Sequence, residues 1–163
     1  MTLTDAALIA QIAGVLLVIP SILYLAFQIH QNTKQLKAAA RYQFVEATGQ
    51  INAVMAGDKS AASVFRRGIS DYASLDEDER WQFLIIIGQH LQIHSVMFEL
   101  YEDGLLPETQ WHNVRKDILS IVRSDGGKRI WEEFGKGGLD AKFVAYVERA
   151  SASAEATYDM TKI

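Results

Sequence analysis

His90 and His94 stand four residues apart, a spacing that sets two imidazoles on one face of a helix within reach of a single metal ion. A stable centre needs a third or fourth ligand, and His112 and Glu99 are the donors within plausible range. The chain has no cysteine, no H-E-x-x-H and no Glu-x-x-His pair. The two histidines are therefore read as hydrogen-bonded residues of a helix face, and no metal or cofactor is expected. The glycines of SDGGKR and GKGGLD are too few and misordered for a phosphate loop, and they read as helix breaks. No nucleophile elbow is present, and the carboxylates gather at helix starts and turns, where capping accounts for them. No catalytic residue set emerges, so an enzyme is not expected.

Charge excludes a further class. Asp5 is the only charged residue before Lys34, which leaves all 16 basic and 19 of the 20 acidic side chains after it, a formal charge of −3. Such a balance has no nucleic-acid footprint, and no nucleic-acid partner is expected. Arg66, Arg67, Lys128 and Arg129 could meet lipid phosphates or an acidic partner, although solvated helix faces explain them equally well.

The charge-free stretch dictates what positions everything else. AALIAQIAGVLLVIPSILYLAFQI, from Ala6 to Ile29, is apolar apart from Gln11, Ser21 and Gln28. At about 1.5 Å per residue, roughly 20 apolar residues cross the hydrocarbon layer, so the spacing predicts one transmembrane helix. Pro20 bends such a helix without forbidding it. A cleaved leader is not expected, because MTLTDAA carries no basic residue and the run exceeds the ~7 to 15 residues of a signal core. Lys34, Lys37 and Arg41 follow the span and only acidic Asp5 precedes it, which predicts an outside N-terminus and a cytoplasmic remainder. These three basic residues are the candidates for contact with anionic lipid headgroups. Within the span Ala6, Ala10 and Gly14 recur at intervals of four, a small-residue seam suited to packing against another membrane helix. His30, at the edge of the span, lacks a visible partner ligand for a tetrapyrrole metal.

Downstream the apolar periods are helical throughout, and no alternating run marks a strand. The first helix is expected to run from about residue 4 to Ala56, with Leu36, Ala40, Phe44, Val45 and Ile51 at helical spacing. A short helix follows from Asp58 or Ser60 to about Asp71, with Val64, Phe65 and Ile69 inward. Ser74 and Glu77 suggest a capping box for a long central helix, whose apolar residues Trp81, Leu84, Ile85, Gly88, Leu91, Val96, Phe98 and Leu100 cover more than one face. Gly104 and Pro107 punctuate the turn to an antiparallel neighbour. KRIWEEF and DAKFVAYVERASASAEA complete the set, with Phe143, Val144 and Val147 inward. The fold class is all-α: an N-terminal transmembrane segment (1–30), a cytoplasmic bundle of about five helices (31–157) and a loosely held tail (158–163).

YLAFQIHQNTKQLKAAARYQ resembles the YLAxQIRxNTxxLRxxxxQ signature of a family of small uncharacterised bacterial single-pass membrane proteins. FRRGISDYASLDEDERWQF, YEDGLLPETQW and GGKRIWEEF are similar to further segments of that family, so the resemblance covers nearly the whole chain. It departs at His30, where the family more often has Arg or Lys. The resemblance implies an inner-membrane anchor with a helical cytoplasmic domain, and no activity. The expected role is a non-catalytic accessory or scaffold subunit that docks on other integral membrane proteins. The rival is a membrane-tethered signalling or effector protein that binds a soluble partner.

Overall fold

A computed structural model describes residues 3–153 and 157–158, apart from the side chains of Ala6, Ile9, Ala10 and Ala13. The described residues are all-helical, 89 % helix with no strand. Seven α-helices follow one another: α1 (Leu3–Gly57), α2 (Lys59–Ser70), α3 (Glu77–Glu102), α4 (Glu108–Arg123), α5 (Asp125–Ile130), α6 (Lys136–Gly138) and α7 (Ala141–Ser151). A 3₁₀ turn, Tyr72–Ser74, precedes α3, and a π turn, Trp131–Gly135, joins α5 to α6. The helices after α1 thus number six, not about five, because a single turn continues past the π segment. By compactness the chain divides into Met1–Ala39 and Ala40–Ile163.

The first unit is α1 alone. Pro20 lies inside it without ending it. Ser21 donates to the Leu17 carbonyl at 2.8 Å and Thr33 to the Ile29 carbonyl at 2.9 Å, while Gln28 donates to the Tyr24 hydroxyl at 2.8 Å. These three side chains thereby spend a donor on their own helix.

In the second unit the last turns of α1 bury Ala40 and Ile51 and half-bury Phe44, whereas Val45 there and Leu36 in the first unit are exposed. The core is assembled by α3, which brings Phe83, Ile87, Leu91 and Phe98 against Trp111 and Ile118 of α4 and Phe143 and Val147 of α7. Phe98 and Tyr101 both pack on Trp111, at 5.7 Å and 5.1 Å between ring centres, and so hold the end of α3 against the start of α4. The Trp111 indole donates to the Tyr146 hydroxyl at 3.1 Å, so the buried ring keeps its polar handle satisfied. Gly104 makes the turn with φ +68°, the left-handed conformation glycine adopts at no steric cost.

Two expectations are corrected. The capping box of α3 is Asp76 with Glu79, not Ser74 with Glu77: Asp76 accepts from the Glu79 amide at 2.9 Å and Glu79 accepts from the Asp76 amide at 3.1 Å. Ser74 instead closes the preceding 3₁₀ turn by donating to the Asp71 carbonyl. Gly126 and Gly127 do not break a helix. They form the first turn of α5, with Ser124 as its cap, because α5 crosses α2 so closely that a Cβ on Gly126 would overlap the Gly68 carbonyl oxygen and the Phe83 ring. The apolar residues of α3 do cover more than one face: Trp81, Ile85 and Val96 face outward, at 62 %, 57 % and 47 % exposure, and the packed face carries Phe83, Ile86, Ile87 and Met97.

Candidate functional site

The apolar segment of α1 is candidate surface along its described length. From Leu16 to Leu23 the large aliphatic side chains are between 53 % and 70 % exposed. Two helices are long and apolar enough to cross a membrane, but they differ in burial: none of the richest window of α1 is buried, against 44 % of that of α3. The α3 window is accounted for by the core it builds. Of the small-residue seam, Gly14 is exposed with open space where a Cβ would stand, while the side chains of Ala6 and Ala10 lie outside the described residues. Lys34, Lys37 and Arg41 are exposed, with no ion pair among the described residues.

Other cations have structural employment. Arg67 forks onto the Glu79 carboxylate and tightens the start of α3, which raises the Arg67 pKa and lowers that of Glu79. Arg129 pairs with Glu133 at 3.1 Å and lies over the Tyr72 ring. Arg66 and Lys128 remain on solvated faces.

The histidine pair lies in the second unit at the floor of a cavity of about 420 Å³. His90 Nδ1 meets the Ile86 carbonyl at 2.8 Å, and His94 Nδ1 meets the His90 carbonyl. A carbonyl can only accept, so each Nδ1 carries the proton and each Nε2 keeps its lone pair. Burial pushes both imidazoles down in pKa, His94 to about 4, so both are neutral at pH 7. The expected hydrogen-bonded helix-face pair is what the structure places here. His112 and Glu99 are exposed, and among the described residues no three His, Cys, Asp or Glu side chains converge to hold a metal ion.

One lining residue escaped the sequence reading. Asp117 of α4 shares the cavity with His90 and His94, and desolvation raises its carboxyl pKa. Its signal was its register, since it falls between Val114 and Ile118 and four before Ile121, all three buried. Neither protein-family models, nor curated proteins, nor solved structures give a match to this chain.

Proposed function

We propose that the protein is a non-catalytic accessory or scaffold subunit of a larger integral membrane complex in the bacterial inner membrane. In this reading the N-terminal segment of α1 spans the bilayer with its N-terminus outside, and the helical domain is cytoplasmic. The observation that carries the reading is the bare apolar surface of α1. A continuous run of exposed Leu, Ile and Val over several turns exceeds the apolar patches of a few hundred Å² that soluble monomers tolerate, and lipid or another membrane helix is its natural solvent. The basic residues Lys34, Lys37 and Arg41 support the orientation and would meet anionic headgroups, and Gly14 with Ala6 and Ala10 would form the docking seam. The likeness to small bacterial single-pass membrane proteins agrees with this arrangement.

Membrane fractions washed in alkaline carbonate and then solubilised in mild detergent test it. The protein should stay in the membrane after the wash and migrate in detergent as part of an assembly larger than itself. Release by carbonate defeats the anchor, and migration as a lone monomer defeats the subunit role. A reporter fused at the C-terminus should be active only when it is one that works in the cytoplasm. The cavity beneath His90 and His94 favours the second reading, a membrane-tethered signalling or effector protein, which predicts a free monomer or dimer that binds a soluble partner.

A further inference from the structure

We propose that the cavity formed in the second unit by the end of α1 with α2, α3 and α4 binds an organic cation, an ammonium group carried on an apolar body. The proposal goes beyond the membrane reading and does not depend on it. The volume, about 420 Å³, falls in the range of small-molecule sites. Phe44 of α1 and Phe65 of α2 supply aromatic wall, and Phe65 lies stacked on His90 with ring centres 6.0 Å apart.

Five polar side chains line that wall: Thr48 and Asn52, which can donate as well as accept, and His90, His94 and Asp117, which supply acceptors. His94 is 6 % exposed, its Nδ1–H is spent on the helix backbone, and its Nε2 has no partner. His90 repeats the arrangement one turn earlier, the two rings stacked 6.4 Å apart. Neither Nε2 is sealed in protein, since the one buried side-chain polar atom without a partner among the described residues is the Ser151 hydroxyl. The lone pairs therefore look into the cavity. Asp117, itself solvent-exposed, lines the same cavity, and among the described residues it has no ion pair and no Lys or Arg lines the space. The two neutral acceptors favour a ligand that donates, and the carboxylate at the solvent-exposed edge of the cavity, with no cation beside it in the lining, favours one that carries positive charge.

A bare metal ion does not fit that requirement, because the three groups do not converge on one point. A polyatomic cation does. Its N–H groups can reach separated acceptors, its apolar body can fill the space beside Ile93 and Ile121, and aromatic faces attract it further. His94, with a pKa of about 4, remains an acceptor across the physiological range.

The test uses the full chain in a nonionic detergent, with phenethylammonium as probe and hydrocinnamate as an anion of similar size, read by NMR of the histidine rings. Phenethylammonium should shift the His90 and His94 ring signals saturably, and hydrocinnamate should not. Asp117→Asn removes a charge-assisted contact at a part-exposed position and should weaken binding by about tenfold or more. Thr48→Phe keeps every charge and fills the space, and should abolish the saturable shift. Both variants are first checked for wild-type helical content. No saturable shift with phenethylammonium, equal binding of hydrocinnamate, or undiminished affinity in a folded Asp117→Asn or Thr48→Phe protein overturns the proposal.

Discussion

Gly68 and Gly126 meet where α2 crosses α5, and a methyl group on Gly126 would have to occupy the space of the Gly68 carbonyl oxygen. Backbone cannot yield as a flexible side chain does. Gly126→Ala should therefore destabilise the domain by about 1 to 3 kcal/mol, the usual cost of overpacking. Gly88→Ala, where a Cβ would meet nothing, should be neutral or stabilise by roughly 0.5 to 1 kcal/mol through helix propensity. Chemical denaturation midpoints of the two variants decide the point. His94 gives the other residue-level expectation. Its folded pKa, about 4, lies below the ordinary 6.5, so the unfolded chain binds the proton more readily. Stability should thus fall as pH drops from 6.5 toward 4, by about 2 kcal/mol at pH 5 from this group alone. His94→Gln should lose that part of the pH dependence in urea titrations at pH 7 and pH 5.

At the scale of elements, α3 shows how much of a helix start is readable. The stretch SLDEDE contains two overlapping frames of an acceptor followed three residues later by a glutamate, Ser74 with Glu77 and Asp76 with Glu79. Local sequence cannot separate them, since each frame would satisfy the N-cap and N3 amides of its own helix start equally well. Arg67, arriving from α2, takes hold of Glu79 and decides for the second frame. Asp76→Ala should accordingly cost about 1 kcal/mol, and Ser74→Ala clearly less. Circular dichroism during thermal unfolding measures both. The glycines of α5 follow the same logic: as punctuation they read as a break, but their use is to let two helices touch. Asp117 is the converse case, an exposed polar residue beside the buried Ile118 whose place on a cavity emerges only when α1 and α3 contribute the rest of its wall.

At the scale of the whole molecule, the apolar segment of α1 and the helical domain make separate demands. If lipid solvates the segment, charges within it carry a defined penalty, about 2.5 to 3.5 kcal/mol for an arginine near the centre of a span. The double variant Leu16→Arg, Leu23→Arg should shift the protein from the carbonate-resistant membrane fraction toward the soluble or degraded fraction. Its helical domain, which neither residue helps to pack, should retain its denaturation midpoint when recovered.

Amino-acid order alone determined the all-helical class, the helix from Leu3 to Gly57 as a single element, and the charge-free stretch within it, because period, composition and run length are local quantities. It also determined the tautomer-setting spacing of His90 and His94, since a residue four positions back always offers its carbonyl on the same face. Only the tertiary structure decided which side of α3 is core, why Gly126 must lack a side chain, and that Asp117 lines the same cavity as the two imidazoles. Those outcomes depend on which helices approach one another and how closely, and such distances are written into no single segment of the chain.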